Sequence, residues 1–113
     1  MRHHIPESSA NIIPIILLFK ENAKNIYGRR LKKIILYGSY ARGLANKDSD
    51  IDLMVVLTDM ESAFAEIEKL SEIKFPIILE NDIHISVNPV TENIFLHSKL
   101  PIFNNIAKEG IEI

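Results

Sequence analysis

The sequence predicts a mixed α/β (α+β) fold, a small mixed β-sheet with helices packed on it. Short β-branched runs alternate along the chain with stretches whose apolar residues recur every three to four positions, so strand and helix periods take turns. The 113 residues suit one domain, since ~100–150 residues is typical. The composition, 47% hydrophobic and 25% charged, is that of an ordinary globular protein rather than a disordered or fibrous one.

Residues 1–9 read as a flexible N-terminal tail and residues 10–113 as a single domain. His3 and His4 fall in that tail, where a short histidine pair is far more often disordered than a metal site. From Asn11 to Tyr27, apolar Ile12, Ile15, Ile16, Phe19, Ala23, Ile26 and Tyr27 form a helical stripe, with Pro14 tolerable only in the first turn. Gly28 stops the helix. The basic run Arg29, Arg30, Lys32 and Lys33 follows, either to complement the helix's negative end or to touch a nucleotide or nucleic acid. Ile34–Tyr37 is a buried strand ending at Gly38, and Asp50–Leu57 a second one. A short helical stretch, Ser39–Leu44, lies between them. The next helix begins near Asp59, with Ala63, Ile67, Leu70 and Ile73 on one face, and continues past Pro76 to about Leu79. Residues 82–88 alternate as a third strand. Short helices at Thr91–His97 and Pro101–Lys108 precede a terminal strand, IEI.

Composition also excludes chemistry. With no cysteine there is no disulfide framework, thiolate zinc site or cysteine nucleophile. MRHHIPESS lacks the apolar centre of a signal peptide. The longest apolar run, Ile12–Phe19, spans eight residues against the ~20 of a membrane helix, so a cytoplasmic protein without a membrane segment is expected. The net charge of −2 conceals an asymmetry: residues 1–45 carry +6 and residues 46–113 carry −8. Such a split suits one half to an anion and the other to a cation; the alternative is that the charges lie on solvated helix faces.

The informative stretch is GSYARGLANKDSDIDLMV, Gly38 to Val55. Asp50 and Asp52 stand two apart in a strand, so both carboxylates leave the same face, while Ile51 and Leu53 point into the core. Paired oxygen ligands suit Mg²⁺ or Mn²⁺, which keep waters and accept substrate phosphate. Twelve residues before Asp50, Gly38 lets the backbone approach a phosphate closely. The amides that follow and the Ser39 hydroxyl can donate to its oxygens, and Arg42 adds a permanent cation. Phosphate cradle and carboxylate pair together are equipment for phosphoryl or nucleotidyl transfer.

This stretch resembles the signature of the nucleotidyltransferases of the DNA polymerase β superfamily: Gly-Ser, ten residues, then Asp-x-Asp, with Ala41-Arg42-Gly43 and Ser49 matching as well. The chain is similar to the small stand-alone branch, the minimal nucleotidyltransferases (MNT), over roughly residues 10–113. The resemblance implies a palm-like nucleotidyltransferase fold with Asp50 and Asp52 as catalytic metal ligands. It makes Gly38, Ser39 and Arg42 the nucleotide-binding residues, Mg²⁺ or Mn²⁺ the cofactor, and ATP or another nucleoside triphosphate the substrate. Catalytic relatives add a third carboxylate from a later strand. Here the strand is DIHISVN, and the position falls on His84 or Ser86, leaving His84 or Asp82 as candidate third ligand or base. The resemblance further implies transfer of AMP to an acceptor hydroxyl, on a HEPN-like helical partner protein of a toxin–antitoxin pair. The alternative is an inactive module of the same fold that binds a partner or nucleotide without turnover. Direct nucleic-acid binding is disfavoured by the acidic half, and isoleucine-rich edges leave a homo-oligomer open.

Overall fold

The computed structural model describes all 113 residues. In chain order the elements are α1 (Ile13–Tyr27), β1 (Leu31–Tyr37), α2 (Ser39–Arg42), β2 (Ile51–Leu57), α3 (Ala63–Asn81), β3 (Ile85–Thr91), α4 (Glu92–His97), α5 (Pro101–Glu109) and β4 (Ile111–Glu112). Two 3-10 turns, Glu7–Ile12 and Gly28–Arg30, flank α1. The strands form one sheet in the order β3-β2-β1-β4. β1 is antiparallel to β2 and β4, and β2 is parallel to β3. The mixed α/β sheet expected from the sequence is present.

Parallel strands need a crossover, and α3 supplies it between β2 and β3. Central strands covered on both faces read as continuous apolar runs, as Ile34-Ile35-Leu36 and Leu53 to Leu57 do. Ile34, Leu36, Ile51, Leu53, Val55 and Leu57 pack with α1 and α3 in the larger core. Ile35, Met54, Val56 and Val90 pack with Phe95 of α4 and Ile106 of α5 in a smaller one. Alternation along β2 therefore turns Asp52 to the α4/α5 face.

Several boundaries differ from expectation. The third strand is Ile85–Thr91, not 82–88, because α3 runs through to Asn81 and ends with Asp82 in the left-handed region at φ 50°. As expected, α3 continues past Pro76: Leu70, Ile73 and Ile77, all buried, hold the turns on either side against the sheet. The buried stripe of α3 is Glu66, Leu70, Ile73 and Ile77, while Ile67 of the expected face is exposed. α3 starts at Ala63, later than Asp59, where Ser62 Oγ accepts a hydrogen bond from the Ala65 amide at 3.3 Å, an N-cap. In α1, Ile12, Ile16, Phe19, Ala23 and Tyr27 are buried as expected, but Ile26 is exposed.

The first nine residues, expected as a flexible tail, lie against the sheet edge and α2. Arg2 bridges to Ile111 of β4, its amide donating to the Gly110 carbonyl at 3.2 Å and its carbonyl accepting from the Glu112 amide at 2.9 Å. Ile5 packs on the larger core and Ser9 is buried. Short apolar and small residues here find an unsatisfied strand and helix end, which composition alone does not reveal. The basic run also finds partners. Arg30 pairs with Glu66 at 2.7 Å and with Asp59 at 3.2 Å, and Lys33 with Glu112 at 3.7 Å.

Candidate active site

The site lies where β1 and β2 end beside α2. Tyr37 is opposite Asp52 in the antiparallel register, so Gly38, the next residue, passes directly under that carboxylate. A Cβ on Gly38 would stand 2.2 Å from Asp52 Oδ2. Gly38 also has φ 77° and ψ −157°, a conformation essentially reserved for glycine. Glycine is thus required twice, by backbone angle and by the approach of Asp52. The chain then turns into α2, which carries Ser39 and Arg42, and Gly43 closes it in the left-handed region at φ 71°.

Asp50 immediately precedes β2 and is exposed. The parallel register places Ser86 beside Asp52 and Ile85 beside Ile51, and the Ile51 amide donates to the His84 carbonyl at 2.9 Å. His84 therefore sits next to Asp50, its Nδ1 3.5 Å from Asp50 Oδ1. Burial pushes the Asp52 carboxyl above the usual carboxylate range; the Asp50 charge adds to this, while Arg42 and His84 pull it back. Asp50, Arg42 and His84 thus all act on Asp52. Asp82 does not join them. It caps α3, outside β3, with its amide on the Ile78 carbonyl at 2.9 Å.

Three neighbours of the site carry no sequence motif. The Asn88 amide donates to Tyr37 Oη at 2.6 Å, spanning β2 beside Asp52. Burial raises the Tyr37 phenol, the Asn88 hydrogen bond opposes this, and the Asp52 charge adds to the rise. Glu109 Oε2 faces Arg42 at 3.8 Å. A cavity of about 170 Å³ opens between them, lined by Tyr37, Gly38, Arg42, Ile102, Asn105 and Glu109 among others. Only the parity of Tyr37 with Asp52 in the hairpin offered a sequence signal for any of these.

No three His, Asp or Glu side chains stand close enough to cage an ion by themselves. Two carboxylates open to solvent on one side suit a hard cation, which takes one or two carboxylates and completes its shell with water and substrate phosphates. The donor set fits Mg²⁺ or Mn²⁺ on that ground. It does not fit a closed structural metal site.

The Gly38-Ser39 turn is thus held under the Asp52 carboxylate, with Arg42 one turn on. The nucleotidyltransferase domain family model matches residues 16–109. A Methanocaldococcus jannaschii protein named "Putative protein adenylyltransferase MJ0141" is 31% identical over 102 residues, covering 90% of this chain and 98% of that protein. The chain belongs to the nucleotidyltransferase domain family and is a transferase of that class. Solved structures share the fold. A toxin–antitoxin crystal structure with AMP-PNP superposes with TM-score 0.58 at 22% identity, over 87% of this chain and 68% of that one. The complex of tri-AMPylated Shewanella oneidensis HEPN toxin with MNT antitoxin gives 0.51 at 22% identity, over 93% and 70%. No helix here is long and apolar enough to cross a membrane.

Proposed function

We propose that this chain transfers AMP from ATP to a hydroxyl of a helical partner protein, in a reaction that depends on a divalent cation. The observation that carries the reading is the seating of Asp52 over Gly38, its Oδ2 2.2 Å from where a Cβ would stand, which sets that carboxylate against the Gly38–Ser39 turn. The nucleotide and the acceptor come from the relatives: one is named an adenylyltransferase, another binds AMP-PNP, and a third stands in complex with an AMPylated HEPN toxin.

Each residue then has a defined task. Gly38 leaves the backbone open to the β- and γ-phosphates, the Ser39 hydroxyl donates to their oxygens, and Arg42 neutralises their charge. Asp50 and Asp52 hold Mg²⁺ or Mn²⁺, which supplies positive charge to the triphosphate and lowers the cost of charge build-up at phosphorus. His84, its Nδ1 3.5 Å from Asp50 Oδ1, orients that carboxylate from the β3 side. The acceptor oxygen forms a bond to the α-phosphorus, the bond to pyrophosphate breaks, and the hydroxyl proton passes to solvent. Little covalent work falls to the protein, so positioning and fixed charge supply most of the acceleration.

The test uses α-³²P-ATP with Mg²⁺ or Mn²⁺ and a co-expressed HEPN-type partner. Label transferred to the partner, and lost in Asp50→Asn/Asp52→Asn, supports the reading; no label under either metal overturns it. The second reading, a partner-binding module without turnover, is favoured by the nitrogen and hydroxyl of His84 and Ser86 on the β3 side. It requires partner binding to survive alanine at Asp50 and Asp52, and any turnover refutes it.

A further inference from the structure

Transfer chemistry makes no use of residues 1–9, yet they supply the polar contacts that fasten the far end of α2. The Arg2 guanidinium donates to the Ala41 carbonyl and to the Glu109 carbonyl, both at 2.7 Å. Ser9 Oγ donates to the Tyr40 carbonyl at 2.7 Å, and Ser9 is only 1% exposed. Ser8 Oγ reaches the Gly43 carbonyl at 3.4 Å. Three carbonyls at the end of α2 are therefore met by donors from one segment. Packing repeats the pattern, because a Cβ on Gly43 would stand 3.3 Å from both Pro6 Cβ and Ser8 Oγ.

α2 has four residues, a single turn, and helix nucleation costs more than one turn returns. Glycine at each end adds backbone freedom. Its position must be set from outside. We propose that residues 2–9 form a clasp that holds α2 in place, with Arg2 and Ser9 as positioning residues for the nucleotide. This rests on the reading of Gly38, Ser39 and Arg42 as the phosphate cradle. Arg2 has a second effect, since it ties the end of α5 to α2 through Glu109, whose carboxylate faces Arg42. Without Arg2, the spacing of Glu109 and Arg42 at the cavity mouth is free to change. Both bonds leave one guanidinium nitrogen, Nη2, whose two hydrogens reach the two carbonyls at once.

The experiment measures AMP-PNP affinity in the presence of Mn²⁺ by calorimetry, and Tm by thermal melting, for the full chain. The variants are Arg2→Ala, Arg2→Lys, Ser9→Ala and Ser62→Ala. Ser62 caps α3 away from the site, so Ser62→Ala lowers Tm and leaves Kd at the wild-type value. Arg2 is exposed, so Arg2→Ala keeps the fold while Kd rises about tenfold, a displacement of the cradle by a fraction of an ångström being enough. Arg2→Lys recovers part of that loss, and Ser9→Ala weakens binding beyond what its Tm accounts for. In turnover the loss falls on KM for ATP rather than on kcat. Wild-type Kd in both Arg2→Ala and Ser9→Ala overturns the clasp and leaves the cradle standing. A wild-type chain that binds no AMP-PNP overturns the cradle, and the clasp with it.

Discussion

Replacing Gly38 by alanine probes the candidate site at its tightest point. The new methyl would lie 2.2 Å from Asp52 Oδ2 and 3.1 Å from its Cγ. To regain van der Waals distance, the carboxylate or the turn must move by about 1 Å. The backbone angles, φ 77° and ψ −157°, add strain of about 1–3 kcal/mol for a residue with a side chain. For a domain of this size, 1 kcal/mol shifts Tm by about 4–8 °C, so Gly38→Ala should melt roughly 5–20 °C lower and still fold at 20 °C or below. The same 1 Å displacement separates the carboxylate pair from the phosphates, and a misplacement of that size costs about 100-fold in rate. We therefore expect kcat/KM for AMP transfer, followed with α-³²P-ATP, to fall by about two orders of magnitude. Gly38→Ala with activity within threefold of wild type and an unchanged Tm would refute the seating of Asp52 over this glycine.

Asp52→Asn should abolish transfer and yet stabilise the free protein at neutral pH. The folded state raises the Asp52 carboxyl, first by burial and then by the Asp50 charge, so the native form binds the proton more tightly than the unfolded form. Stability is therefore lost as pH rises from the ordinary aspartate range through the raised folded value. Melting curves should show this decline in the wild type and a smaller one in Asp52→Asn; identical profiles would count against it. Glu66→Ala removes a buried carboxylate, 3% exposed, that accepts from Arg30 at 2.7 Å and Tyr27 at 3.4 Å. Denaturant titration should show a loss of about 2–4 kcal/mol, Arg30 being left without its inner partner. Burial pushes Glu66 up, but the Arg30 hydrogen bond and the Lys69 and Arg30 charges prevail and leave it lowered. Its contribution is present above the ordinary glutamate range and disappears as pH falls through the lowered value, which acid unfolding of wild type and variant will reveal. His84→Ala, exposed and harmless to folding, should weaken Mn²⁺ binding by about tenfold or more. Unchanged Mn²⁺ affinity in the variant, read by calorimetry, would remove His84 from the site.

The helices and strands were legible wherever one period persisted, as in α1, where Pro14 and Gly28 marked both ends. The site was legible because Gly38, Ser39, Asp50 and Asp52 lie within one hairpin, so local spacing dictates their meeting. What lay further apart was not. The offset of β3 depends on where α3 ends, and the helix runs two residues past the expected Leu79, to Asn81. The stripe of α3 was displaced because Glu66 is buried: an acidic residue reads as solvent-facing until Arg30, 36 residues away, is known to meet it. The N-terminal nine residues have no period at all, and their partners lie at Gly43 and Ile111. His84 was visible as a candidate, but only the β2–β3 register shows it beside Asp50 and leaves Asp82 out.

The bridge between Arg2 and Ile111 has a kinetic meaning. It joins residues separated by almost the whole sequence, and contacts of that span are slow to form because a long loop must close first. During synthesis, Arg2 has no strand to pair with until β4 has left the ribosome. The Gly-Ser turn, both aspartates and the Ser8 and Ser9 contacts with α2 are all encoded well before that moment, but the backbone bridge that seats Arg2 waits for it. A chain interrupted before Gly110 would thus carry every candidate site residue and the Ser8 and Ser9 contacts with α2, yet lack the backbone bridge that seats Arg2.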